Sequence, residues 1–175
     1  MAEIRRLDSA AAREFLDGLA SVLLDCVEGG ASVSFMPPFG PLEAREFFEK
    51  VAESVDRGER ILLAAFVDGE IAGTVQIVAA TPPNQPHRAD IAKLLVKRSA
   101  RGRGIGEALM HEVERQSLAA GRTLLVLDTA SGDAAERLYT RLGWNRVGVI
   151  PKYALYPDGR WCDTTVFWKD LTAGR

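Results

Sequence analysis

The chain has 175 residues, 22 of them basic and 24 acidic, for a formal net charge of −2. That length suits one domain spanning residues 1–175 and removing roughly two thirds of the unfolded surface from water. The near-neutral balance provides no global field for nucleic acid or an anionic membrane, and no apolar run approaches the roughly 18 residues a bilayer span requires.

The two cysteines, Cys26 and Cys162, stand far apart without metal-ligand spacing, so they read as reduced thiols of a cytoplasmic protein and no metal is expected. The opening Met1-Ala2-Glu3-Ile4-Arg5-Arg6 lacks the apolar core of a secretion signal.

In chain order, Ile4 to Leu7 is a short strand, and Asp8 or Ser9 caps a helix with Phe15, Leu16, Leu19, Val22 and Leu23 on one face. Gly29-Gly30 ends that helix. After the loop Ser34 to Gly40, a second helix begins near Pro41 and presents Phe47, Phe48, Val51 and Val55 before Gly58. Ile61 to Val67 and Glu70 to Ala79 are strands joined by Asp68-Gly69, a hairpin signal.

Thr81 to Pro86 is too rich in proline to continue a ladder and reads as a loop. Ala89 to Val96 is then a strand, Gly104 to Ala120 a helix and Leu124 to Leu127 a buried strand. A shorter helix runs from a cap at Asp133 to Leu142, and Gly143 stops it. Val147 to Tyr156 and Trp161 to Trp168 close the chain as a hairpin around Pro157-Asp158-Gly159. The alternation predicts an α/β architecture with one mixed sheet and helices on both faces.

The most telling stretch is Arg101-Gly102-Arg103-Gly104-Ile105-Gly106, between a strand and a helix. Glycines there let a backbone approach a ligand, and the first amides of a helix carry partial positive charge with no internal partner. The bland alternative is a tight glycine turn with solvated arginines. A dinucleotide fingerprint would need glycine where Glu107 stands, and no Gly-Lys-Ser/Thr follows for a P-loop.

The pattern Arg101-x-x-Gly104-x-Gly106 after Leu94-Leu95-Val96, with the later Asp133 to Trp144 segment carrying Leu138-Tyr139 and Gly143-Trp144, resembles the GNAT superfamily of N-acetyltransferases. Within it, Gly29 to Met36, Arg88-Ala89-Asp90 and Leu127-Asp128-Thr129 look like the tabtoxin resistance acetyltransferases. The resemblance implies the acyl-CoA N-acyltransferase fold, with a central mixed sheet of about seven strands, and acetyl-CoA as co-substrate. It implies transfer of an acetyl group to a small primary amine, an amino-acid-like toxin or antibiotic, by direct attack in a ternary complex, in a monomer or homodimer.

By that resemblance, Gly102, Arg103, Gly104, Ile105 and Gly106, helped by Arg101, hold the diphosphate, while Leu95 and Val96 offer main-chain groups to pantetheine and thioester. Asp133 stands where many relatives have asparagine. Tyr139 is either the phenol beside the sulfur or a core tyrosine. With an unperturbed pKa of about 10 it could protonate a comparably basic thiolate.

Asp90 and Asp128, expected at opposite ends of neighbouring strands, either take the ammonium proton and contact the substrate, as the resemblance implies and without a choice of base between them, or merely cap strands and bind backbone amides. Phe35, with Met36 and Phe39, either walls the acceptor pocket or packs under a helix. His87 and His111 have no metal-like spacing, and no serine or cysteine shows the setting of a nucleophile. Three alternatives stay open: a protein or peptide N-acetyltransferase, a non-catalytic acyl-CoA sensor, and a nucleotide-binding module using the same loop.

Overall fold

The computed structural model describes residues 2–173. Seven strands form one sheet: β1 Glu3–Leu7, β2 Arg60–Val67, β3 Glu70–Ala79, β4 Arg88–Val96, β5 Leu124–Ala130, β6 Asn145–Leu155 and β7 Trp161–Asp170. Their order is β1-β2-β3-β4-β5-β7-β6, and only β4 and β5 run parallel. Helices α1 Ser9–Glu14, α2 Leu16–Glu28 and α3 Pro41–Asp56 cover one face, and α4 Ile105–Ala119 with α5 Ala134–Arg141 cover the other. The mixed α/β sheet expected from the element order is the one found.

The helix expected after Asp8 is two helices. Asp8 does cap the first, its carboxylate accepting from the Ala11 amide at 2.8 Å, but Phe15 leaves helical geometry at φ −96° and ψ 19°. Its ring turns edge-on to Phe66 at 5.1 Å. The bend lets α2 press on β3 where Gly18 leaves room, since an added Cβ would sit 3.3 Å from Ile71.

At α3, Pro41 needs no amide partner in the first turn, and Glu43 Oε2 reaches back to the Gly40 amide at 2.9 Å. Phe48 from this helix is fully buried in the first core, worth about 3 kcal/mol over an exposed position. The second core gathers Leu109, Met110, Val113, Leu125, Leu127, Tyr139 and Phe167 beneath α4 and α5. The outer edge differs: β6 leaves Val147, Val149, Ile150, Tyr153 and Leu155 exposed.

Two departures from regular strands shape the site. In β4, Ala92 pairs with Gln76 and Leu95 with Thr74, so two residues, Lys93 and Leu94, oppose Val75 alone. Lys93 has φ +55°, which makes this a β-bulge that bends the strand. Secondly, β4 and β5 pair only through Arg88–Leu124, Ala89–Leu125 and Asp90–Val126. Beyond that point β4 continues to Val96 and β5 to Ala130, and the two strands diverge.

Candidate active site

The gap between β4 and β5 is lined by main chain first. Lys97 donates to Ala72 O at 2.9 Å, and Val96 lies opposite Gly73. Because paired and unpaired positions alternate along an antiparallel ladder, the Val96 N–H and C=O turn away from β3, toward the gap. The same alternation turns the Leu95 groups back to β3 and its side chain into the first core. Of the two residues expected to offer main-chain groups, Val96 is therefore the one placed to do so.

The Val96 carbonyl is already engaged: Arg101 Nε donates to it at 3.1 Å, and the buried Cys26 thiol lies 3.6 Å away. The Arg101 guanidinium folds back over the strand end instead of reaching out beyond the loop. Arg98 is likewise occupied, since its main-chain N–H and Nε donate to Asp25 at 2.7 and 3.0 Å.

Past a short 3-10 turn over Arg98–Ala100, Gly102 and Gly104 adopt φ +74° and +76°. Gly104 is the N-cap of α4, without a side-chain cap, and the first intrahelical bond is Ala108 N–H to Gly104 O at 3.0 Å. The amides of Ile105, Gly106 and Glu107 thus precede the helical ladder at its positive end. A Cβ added at Gly102 or Gly104 would meet nothing within 4 Å, whereas one at Gly106 would meet Leu138 at 3.2 Å. So the first two glycines serve the turn and an open approach, and the third lets α5 pack on α4. These open, uncapped donors fit a diphosphate.

Beside them an open groove of about 430 Å³ runs along α5, lined by Gly132, Asp133, Glu136, Arg137, Thr140 and Arg141. Asp133 stands at the N-cap but its side chain makes no capping bond; Glu136 instead accepts from the Gly132 amide at 2.6 Å. The expected cap at Asp133 is thus positional only. The partial burial of its carboxyl, outweighing the attraction of Arg101 and Arg137, raises its pKa above the usual carboxylate value.

Tyr139 is buried from the α5 side, with ring centroids 5.8 Å from Trp144 and 5.8 Å from Phe167. Burial above all, and then the charge of Asp128, push the phenol well above its ordinary pKa. It remains a good hydrogen-bond donor.

The two carboxylates are not at opposite ends of their strands. β5 runs on past Leu127 to Ala130, so Asp128 lies inside it, and the Asp90–Val126 pairing puts both carboxylates on one face with Asp128 two residues further toward the open gap. Asp90 Oδ1 pairs with Arg88 at 2.5 Å. Asp128 Oδ2 accepts from the Thr164 hydroxyl at 2.9 Å, and its other oxygen is left for a ligand.

Phe35 packs against Phe39 at 4.6 Å and Phe47 at 5.2 Å, over the face that bears both carboxylates, while Met36 is exposed. The loop that carries it is tied at both sides. Ser32 donates to Leu155 O at 2.8 Å, and Lys93 donates to Ser34 Oγ at 3.1 Å. Lys93 itself went unnoticed in the sequence, although Ile91, Lys93 and Leu95 cannot share one face of a regular strand without burying the lysine. That conflict is the signal of the bulge. His87 serves through its carbonyl, which accepts from Thr123 and Leu124, and His111 faces Glu107 at 3.8 Å on the helix surface.

A parallel strand pair that parts beside an uncapped helix start leaves room for an extended ligand between two strands, with donors for an anionic end at the helix. The sequence model of the acetyltransferase (GNAT) family matches residues 30–144, and the chain belongs to that family. It is 30% identical over 173 residues to an uncharacterized N-acetyltransferase encoded in the hisH-hisA intergenic region of Azospirillum brasilense, covering 97% of this chain and 96% of that one. An N-acetyltransferase from Staphylococcus aureus shares the fold at a TM-score of 0.82 and 20% identity, over 98% of this chain and 99% of that one. An acetyltransferase from Salmonella typhimurium, solved with its cofactor acetyl-CoA, does so at 0.79 and 18%, over 100% and 96%. The activity is that of an acetyl-CoA-dependent N-acetyltransferase.

Proposed function

We propose that the acceptor is the primary amine of a small, amino-acid-like toxin or antibiotic, and that it attacks the thioester directly with both substrates bound. The observation that supports this reading is the Val96 main chain, turned into the gap where β4 and β5 part, between the open start of α4 and the β5 segment that bears Asp128. Bound acetyl-CoA supplies the activated acyl carbon. The amides of residues 102–106, with Arg103 beside them, hold its diphosphate, and Arg101 leaves the Val96 carbonyl to join them. The Val96 N–H donates to the carbonyl oxygen on which negative charge develops.

Of the two carboxylates, Asp128 takes the ammonium proton, directly or through one water, because it lies two residues further toward the open gap and one of its oxygens has no hydrogen-bond partner among the described residues. Asp90 stands nearer the closed end and is held by Arg88, so it attracts the cation at longer range. Tyr139 donates a hydrogen bond to the sulfur as negative charge collects there, and the second proton leaving the nitrogen passes to the departing thiolate, which is released as the free thiol.

A small acceptor is supported by the two ties that hold the 31–40 loop to β6 and β4, over the face bearing both carboxylates. The likeness of the motifs to tabtoxin resistance acetyltransferases supports the toxin or antibiotic class. The test is a thiol-release screen of acetyl-CoA against amino acids, polyamines, aminoglycosides, β-lactam-type amines and a peptide, with mass measurement of the product. Turnover of a small amine is expected, and turnover of the peptide alone overturns the reading.

A further inference from the structure

The acceptor side of the gap contains more sheltered positive charge than the reaction above employs. Lys93, the extra residue of the bulge, sends Nζ to Ser34 Oγ at 3.1 Å and stands 5.8 and 6.0 Å from the ring centroids of Phe35 and Phe47. Asp128 is the acid whose charge reaches it, yet the bond Asp128 makes is to Thr164. Burial foremost, with the charge of Arg60 adding to it, lowers the Lys93 pKa against the pull of Asp128.

Arg60 comes from the same face of the sheet. It pairs with Val78, which pairs with Asp90, and in the next row Leu62 pairs with Gln76, which pairs with Ala92. Arg60 gives Gln76 Oε1 a hydrogen bond. Arg60 Nε and Gln76 Nε2 are enclosed and have no partner among the described residues, and Gln76 is fully buried. Glu59 is the acid whose charge reaches Arg60, as Asp128 is for Lys93, yet neither cation bonds to a carboxylate among the described residues, and donors enclosed without an acceptor are costly unless a ligand completes them.

We propose that these groups bind the carboxylate of the acceptor: Lys93 and Ser34 take it directly, and Arg60 with Gln76 extends the positive field beneath. The inference rests on the small-amine reading and narrows it to zwitterionic, amino-acid-type acceptors. The amine of such a molecule falls on the Asp128 side of Lys93, and its carboxylate on the aromatic side. Polyamines and aminoglycosides, which bring cations to the same place, are disfavoured by repulsion.

The test measures thiol release from acetyl-CoA by the full chain with the standard L-amino acids, their α-carboxamides, spermidine and kanamycin. The acids are expected to exceed their own carboxamides by about tenfold or more in kcat/KM. That ratio should collapse toward one in Lys93→Met, return in part in Lys93→Arg, and shrink by a smaller factor in Ser34→Ala, with thermal melting to confirm folding. Carboxamides or spermidine serving as well as the acids overturn the proposal. So does a Lys93→Met that lowers both members of each pair equally, which marks a lysine that only clamps the loop. Release with none of these small amines but with a peptide α-amine sinks the parent reading instead, a result distinct from a lost acid-to-amide ratio.

Discussion

The two ends of the gap are built from different materials. At the α4 end the chemistry resides in main-chain amides of one contiguous segment, oriented by Gly102 and Gly104 at positive φ. At the proposed acceptor end it resides in side chains from the 31–40 loop, β2, β3, β4 and β5, assembled by strand register and one bulge. Backbone sites are disturbed by changes in conformation, and side-chain sites by changes in charge. The contrast therefore predicts which mutations act on cofactor and which on acceptor.

The largest effect is expected where conformation and approach coincide. Gly104→Val forces a β-branched residue into the left-handed region, which costs about 1–2 kcal/mol, and sets methyl groups over the uncapped amides. Acetyl-CoA affinity measured by calorimetry should fall about a hundredfold, while the melting temperature drops by only a few degrees.

Asp128→Asn should lower kcat/KM by about a hundredfold through loss of the proton acceptor, with acetyl-CoA affinity within about twofold of the parent. Asp90→Asn should cost less than about tenfold. Steady-state kinetics on both variants checks this, and the reverse ranking would move the base to Asp90.

Tyr139→Phe should lower kcat by about tenfold and leave stability nearly unchanged, because the hydroxyl has no hydrogen-bond partner among the described residues. The same variant carries a pH signature. With its pKa raised on folding, Tyr139 adds stability that is fully present below about pH 10, the value for an unfolded tyrosine. That contribution is lost as pH rises from there, because the unfolded chain releases the proton first. Tyr156, pushed up to about 12 chiefly by its contact with the Cys162 thiol, contributes a slope of the same sign. Urea melts between about pH 9 and 11 should show a flatter decline for Tyr139→Phe, but not a level one.

The smallest effect is expected at Gly106→Ala, which keeps the amide and adds a methyl 3.2 Å from Leu138. Stability should change by about 1 kcal/mol or less, since the gain in helix propensity opposes the crowding. Acetyl-CoA affinity should stay within about twofold. A large loss of affinity would return this glycine from packing to ligand contact.

The same contrast explains what could be read from the residues alone. The Arg101 to Gly106 segment is legible because its function is local: glycine spacing, a strand before it and a helix after it are all contiguous. The element order and a mixed sheet with helices on both faces follow from alternation and caps, whereas the strand order depends on distant pairings. Asp90 and Asp128 could be picked out, but their relative placement could not, since it depends on how far β5 runs and on a register set by distant pairings. Thr164, Ser34 and Arg60 carry no motif. The split at Phe15 was hidden because an aromatic contact with Phe66 outweighs local helix preference.

Lys93 also sets a rule for altering this protein. At φ +55° an L-residue is strained, asparagine, aspartate and glycine least, and valine, isoleucine and threonine most. Any attempt to retune what the enzyme accepts by changing this position thus draws on a shortened alphabet. Libraries that sample it evenly will spend members on residues whose strain costs about 1–2 kcal/mol of stability, and shape-compatible replacements should be chosen first.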